Sequence, residues 1–275
     1  MDSKVGGAET LWLDRPGGRI AYDVAGEGPL VVLVPGMGDL RSVYRFLAPA
    51  LVAAGYRVAS MDLRGHGDSD ATFDAYDDVA LGGDLVALVG HLGAPAVLVG
   101  NSMGAGGATW AAAEAPESVA GLVLMGPFVR DVPVGTAAKV MLRLALLRPW
   151  GRAALKAYYR KLYPGRRPAD LTEHITRIGA SLKPPEKWRA FSATTRTSHA
   201  PVEARLAEVN APALVVMGEK DPDFPNPASE ARFIAERLNG ETVMVADAGH
   251  YPQAEYPEVV TPATIEFLAR VAPRA

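Results

Sequence analysis

Six short, mainly apolar runs rich in Val and Leu constrain this chain more than any other feature. They lie at residues 30–34 (LVVLV), 57–61, 96–99, 121–125, 213–217 and 242–245. Most are continuously apolar rather than alternating. That pattern belongs to strands of a parallel sheet covered on both faces. Residues 10–13 and 19–24 flank Asp14-Arg15-Pro16-Gly17-Gly18 and read as an added hairpin. The stretches between the runs have helical spacing. In residues 42–54, Val43, Phe46, Leu47, Ala50 and Leu51 share a face, and Gly55 closes the segment. Residues 74–92, 103–115 and 255–271 continue the alternation. A chain of this kind folds as an α/β sheet with right-handed crossovers.

Residues 129–200 break the rhythm. They contain no convincing strand and are punctuated by prolines such as Pro149, Pro164 and Pro184-Pro185. The expectation is a sheet domain of residues 1–128 and 201–275, with residues 129–200 inserted as a helical cap after the sixth strand, counting the two of the hairpin. From Lys139 to Arg167 the insertion carries nine Lys and Arg residues and no Asp or Glu. The first reading of that strip is a solvated helix face. The second is a face for an anionic surface, such as an acidic carrier, a phosphorylated substrate or lipid headgroups.

Composition narrows the chemistry. The 275 residues are 49% hydrophobic, enough for a large core, and the net charge is −3. Neither the charge nor any motif suggests nucleic acid. The chain has no cysteine, which rules out disulfides, thiolate metal sites and cysteine nucleophiles. No carboxylate or histidine spacing suggests a metal, and no cofactor is expected. The polar start and the absence of a 20-residue apolar stretch lead to the expectation of a cytoplasmic protein.

Sites in open α/β sheets gather at the carboxyl ends of the strands. The run at 96–99 ends in Gly100-Asn101-Ser102-Met103-Gly104, the run at 213–217 in Gly218-Glu219-Lys220-Asp221-Pro222, and the run at 242–245 leads to Ala248-Gly249-His250. Gly-x-Ser-x-Gly forms a sharp strand-to-helix turn that lifts the serine off the sheet onto a helix N-terminus. Such a hydroxyl needs a base, for which His250 is the candidate, and the base needs an orienting carboxylate, for which Asp221 is the candidate. Asp131 and Asp223 are the alternatives for the acid. The backbone N–H groups of Met37 and Met103 are the candidates for an oxyanion hole. His66 reads as structural, His91 as part of a helix face, His174 and His199 as parts of the insertion, and Asp39 and Asp68 as surface or loop-bracing residues. The glycines lack the G-x-G-x-x-G spacing of a dinucleotide site.

Five stretches in order carry a resemblance. They are Val34-Pro35-Gly36-Met37, the segment Asp62-Leu63-Arg64-Gly65-His66-Gly67-Asp68-Ser69, the Gly100–Gly104 turn, the loop holding Asp221, and Ala248-Gly249-His250. Together they resemble the α/β-hydrolase superfamily over nearly the whole chain. The resemblance implies a mostly parallel eight-stranded sheet flanked by helices. It also implies a serine hydrolase cleaving a carboxylic ester, thioester or lactone of a small acyl substrate. Gly-Asn-Ser-Met-Gly is similar, too, to the turn of relatives that hydrolyse carbon–carbon bonds. Other proteins of the fold act as small-molecule receptors without turnover. Dehalogenases and epoxide hydrolases of the superfamily place Asp where this chain has Ser102.

Overall fold

The computed structural model describes residues 9–93, 95–132, 141, 144–147 and 149–273. Eight strands form one sheet: β1 (Leu11–Arg15), β2 (Gly18–Ala25), β3 (Leu30–Val34), β4 (Arg57–Met61), β5 (Ala96–Asn101), β6 (Val119–Met125), β7 (Ala213–Gly218) and β8 (Glu241–Val245). Their spatial order is β1-β2-β4-β3-β5-β6-β7-β8. The β1–β2 and β2–β4 pairs are antiparallel, and every later pair is parallel. The expected mostly parallel eight-stranded sheet is therefore present.

The continuous apolar runs are explained by burial on two sides. In β3, Val32 and Val34 join one core cluster, while Val31 and Leu33 join the other. All four are fully buried. Each such side chain contributes about 1.5–3 kcal/mol relative to exposure. The first cluster is closed by α2 (Asp78–Leu92) and α3 (Met103–Glu114), and the second by α1 (Leu47–Ala53). The segment expected as one helix over residues 42–54 is instead a 3₁₀ turn, Arg41–Tyr44, followed by α1. The helix expected from residue 74 begins at Asp78, where the Asp77 side chain accepts the Ala80 N–H.

Between β6 and β7 the described residues contain no strand; they include α4 (Gly151–Lys161), α5 (Leu171–Ser181), α6 (Pro185–Thr194), the short α7 (Ala200–Glu203) and a 3₁₀ turn, Leu206–Glu208. Their apolar residues Leu155, Tyr159, Ile175, Ile178 and Phe191 extend the second core cluster. Of the basic strip, Lys139, Arg143 and Arg148 lie outside the described residues. Arg152, Arg160 and Lys161 are exposed, and Arg166 pairs with Glu258 at 2.5 Å. Beyond β7 follow α8 (Pro227–Leu238), α9 (Pro252–Glu255) and α10 (Pro257–Val271). The single closing helix expected over 255–271 is thus divided near Tyr256-Pro257. Among the described residues, no helix is long and apolar enough to cross a membrane.

The Asp62–Ser69 segment braces the sheet. Arg41 is fully buried and meets Asp23 at 2.8 Å, Asp68 at 2.9 Å and Asp62. Removing one partner of such a buried network typically costs 3–5 kcal/mol. Asp39, expected at the surface or bracing a loop, is wholly buried, and its Oδ1 lies 2.8 Å from His174 Nε2 on α5. The surface half of that expectation fails because an inserted helix covers the loop, a contact that no local pattern signals.

Candidate active site

Ser102 stands at the junction of β5 and α3 with φ 57° and ψ −122°. A non-glycine residue held at positive φ is strained and persists only where its surroundings enforce it. The enforcing contacts are visible at the flanking glycines. A Cβ on Gly104 would lie 2.4 Å from the Val34 carbonyl oxygen, and one on Gly100 would lie 2.5 Å from Ala105 N. Backbone passes where any side chain would sit, so the glycines are a packing requirement. Met103 is the first residue of α3, so its N–H is among the first-turn donors without a partner inside the helix.

The histidine and the acid arrive from the neighbouring strand ends. Asp221 follows β7 and His250 follows β8. His250 Nδ1 lies 2.7 Å from Asp221 Oδ2, and both residues are buried. His250 and Ser102 line one cavity together. Gly126 permits the approach: a Cβ there would stand 3.1 Å from both Asp221 Oδ2 and His250 Nδ1. Burial works against charge on the imidazole. Asp221 and Asp223 outweigh it and raise the His250 pKa above the ordinary histidine value.

Of the alternative acids, Asp223 Oδ2 lies 3.7 Å from His250 Nδ1, and its other oxygen accepts from Tyr158 on α4. Burial raises the Asp223 pKa. Asp131 turns elsewhere and accepts from Ser198 Oγ and the His199 N–H. The metal question takes a new form. Asp221, Asp223 and His250 bring ligand atoms within 4.8 Å of one another, a grouping that the sequence spacing conceals. The 2.7 Å hydrogen bond occupies the Nδ1 edge that a cation would need.

The remaining histidines separate by burial and partner. His66 is buried, its Nδ1 lies 2.8 Å from the Arg64 carbonyl, and burial depresses its pKa to about 4. It is a neutral structural residue, as expected. His91 packs edge-on to Tyr22. His199, read from the sequence only as part of the insertion, lines the same cavity as Ser102.

Several supporting residues escaped the sequence reading. Asn101 Nδ2 donates to the carbonyls of Met125 (2.9 Å) and His250 (3.1 Å), joining the serine turn to the histidine loop. Glu255 accepts the N–H of Gly249 at 2.7 Å and that of Gly165 at 3.2 Å. Burial pushes its carboxyl up to about 7. Tyr159 of α4 donates to the Met37 carbonyl at 3.4 Å and ties the inserted helices to the loop after β3. The position of Asn101 beside Ser102 was a usable signal. The other two are recognisable only once distant segments meet.

The cavity over Ser102 has a volume of about 420 Å³. Met37 and Met103 border it near the serine, and Leu146, Leu155, Leu162 and Phe191 supply apolar wall. No Lys or Arg lines it among the described residues.

Comparison with known proteins agrees with this architecture. Residues 31–263 match the model of the "Alpha/beta hydrolase family". The chain is 32% identical over 265 residues to the dihydrolipoyllysine-residue acetyltransferase component of the acetoin cleaving system of Pseudomonas putida, covering 92% of this chain and 68% of the relative. It is 31% identical over 269 residues to 2-hydroxy-6-oxononadienedioate/2-hydroxy-6-oxononatrienedioate hydrolase 2 of the same species, covering 91% of each. Among solved structures, a thermophilic esterase from Thermogutta terrifontis superposes with a TM-score of 0.76 at 27% identity, covering 96% of this chain and all of that one.

Proposed function

The chain belongs to the alpha/beta hydrolase family, and on that premise we propose that it is a serine hydrolase acting on an uncharged carboxylic ester, thioester or lactone. Ser102 is the nucleophile, His250 the base and Asp221 the orienting acid. His250 Nε2 takes the Ser102 proton as Oγ attacks the carbonyl carbon. The resulting oxyanion is held by the N–H groups of Met37 and Met103. Collapse expels the alcohol or thiol, which receives the proton from His250, and leaves an acyl-serine. Water, deprotonated in turn by His250, attacks that ester, releases the acid and restores the serine.

The observation that carries the proposal is the 2.7 Å contact of His250 Nδ1 with Asp221, made on the rim of the cavity that also exposes the strained Ser102. Carbon–carbon bond hydrolysis on the same residues is the second reading, favoured by the likeness to the dienedioate hydrolase. A dioate substrate brings two carboxylates. The cavity offers no Lys or Arg among its described lining residues and presents Asp223. Burying an uncompensated anion there is costly, so the lining supports an uncharged acyl substrate.

The test is a panel of 4-nitrophenyl esters, thioesters, lactones and dienoates, with fluorophosphonate labelling run in parallel. The native chain is expected to turn over uncharged esters repeatedly and to take the label at Ser102. Ser102→Ala is expected to lose both, with activity falling at least about 10⁴-fold. Labelling with a single turnover only would favour the receptor reading, and preferred turnover of dienoates would favour carbon–carbon cleavage.

A further inference from the structure

One wall of the cavity has a polarity that the proposed chemistry does not use. The end of α6 and the residues joining it to α7 contribute Thr194, Thr195, Thr197 and His199 to it. Thr194 and Thr195 donate their hydroxyl protons to the carbonyls of Phe191 and Ser192. The Thr197 hydroxyl oxygen is buried and has no hydrogen-bond partner among the described residues. An unpaired buried hydroxyl is costly, which makes it a position where a ligand group is gained cheaply.

His199 is fixed beside this wall. Its Nδ1 lies 2.6 Å from Asp78 Oδ2, and Asp78 is 1% exposed at the start of α2. Its ring packs against Phe128 with centroids 5.5 Å apart, and its backbone N–H donates to Asp131. Phe128 also packs edge-on to His250 at 6.0 Å, so one phenyl ring touches both imidazoles. This second His–Asp pair therefore opens on the same cavity as the first, near the reacting centre.

The chemistry of the pair selects its ligand. A carboxylate accepts only, so the ring proton of His199 sits on Nδ1. Nε2 then accepts a hydrogen bond when the ring is neutral and donates one when it is charged. The Thr197 hydroxyl donates or accepts. A substrate hydroxyl satisfies every one of these states, giving its proton to Nε2 and accepting from Thr197. A carboxylate meets Asp78 and Asp131 close behind the imidazole, and a plain methylene leaves both polar groups unpaired. We propose that His199 and Thr197 form a subsite for a hydroxyl group on the substrate chain, so that the enzyme prefers hydroxylated esters over their unsubstituted parents. The subsite rests on the hydrolase reading above, because it shares the cavity of Ser102.

The test uses the full chain and two ester series. In the first, 4-nitrophenyl octanoate is compared with its 3-, 6- and 8-hydroxy derivatives. In the second, octyl acetate is compared with the monoacetates of 1,3-, 1,6- and 1,8-octanediol. At least one hydroxylated ester is expected to exceed its parent about tenfold or more in kcat/KM, mostly through a lower KM. That ratio is expected to fall toward one in Thr197→Val and in His199→Phe. Thr197→Val exchanges an unpaired buried hydroxyl for a methyl group and breaks no hydrogen bond, so it keeps the test sound if His199→Phe fails to fold. No hydroxyl preference in either series, or a preference that survives both variants, overturns the subsite. Failure to turn over any ester, with no fluorophosphonate label on Ser102, overturns the hydrolase reading itself and removes the subsite with it.

Discussion

Two carboxylates face one imidazole, and their distances assign them different work. Asp221 at 2.7 Å shares a hydrogen bond with His250, whereas Asp223 at 3.7 Å acts through charge and is held by Tyr158. Asp221→Asn is expected to lower kcat by about 10³–10⁴, because the amide no longer fixes the ring tautomer. Asp223→Asn is expected to stay within about tenfold. The two also differ in pH behaviour. The proposed mechanism needs neutral His250, and both carboxylates raise its pKa. The acid limb of kcat/KM therefore lies above the ordinary histidine value of about 6.5, and Asp223→Asn is expected to move it downward. A pH profile of the two variants checks this, and an unmoved limb in Asp223→Asn would remove its electrostatic role. At this scale the sequence named Ser102, His250 and Asp221 from the Gly-x-Ser-x-Gly turn, from strand-end position and from the resemblance. It put Asp221 first and kept Asp223 and Asp131 as alternatives; the 1 Å that separates Asp221 from Asp223 arises from how the loop after β7 folds.

Among elements, the β5–α3 turn leaves no room for side chains at its glycines. A Cβ on Gly104 would press into backbone carbonyls of the β3 loop, which cannot move without shifting the sheet. Gly104→Ala is expected to cost at least about 2 kcal/mol and to lower activity, through overpacking at a strained turn. Gly90, on α2, has nothing within 4 Å of the position a Cβ would take. Gly90→Ala is expected to stabilise by about 0.5–1 kcal/mol. Denaturant melts of the pair provide the contrast, and equal effects would mean that the turn relaxes freely. The basic helix α4 behaves differently. Arg152 and Arg160 are exposed, and such charges contribute little to stability. Reversing Arg152, Lys156 and Arg160 to Glu is expected to leave turnover of a small neutral ester within about twofold. Docking of this face on an anionic surface or carrier stands as a proposal, and a selective loss on an anionic substrate in the same variant would support it. The elements themselves were legible because period and length differ between strand and helix. Their ends were less fully read: the break between α9 and α10 falls at Tyr256 (φ −133°, ψ 59°), which Pro257 holds out of the helical region.

Over the whole molecule, two buried groups give the stability opposite dependences on pH. The His66 pKa is depressed to about 4, so its contribution is full above about 6.5 and is lost as pH falls toward 4. The Glu255 pKa is raised to about 7, so its contribution is full below about 4.5 and is lost as pH rises toward 7. Each shift corresponds to on the order of 3 kcal/mol. The two slopes largely cancel between pH 4.5 and 6.5. His66→Gln is expected to leave a net fall in stability as pH rises through that window, and Glu255→Gln a net rise. Urea midpoints at pH 5 and 7 measure both, and parallel curves for the two variants would refute the assignment. By itself the sequence determined the sheet, its crossovers, and the three strand ends that carry serine, acid and histidine. Those follow from periodicity and from the rule that loops at one end of a parallel sheet lie together. Only the tertiary structure decided that α4 covers the serine, that Asp39 is buried against His174, and that His199 joins the cavity. Those contacts link residues about 50 to 135 positions apart through irregular segments, where no repeating pattern of side chains records which surface will meet which.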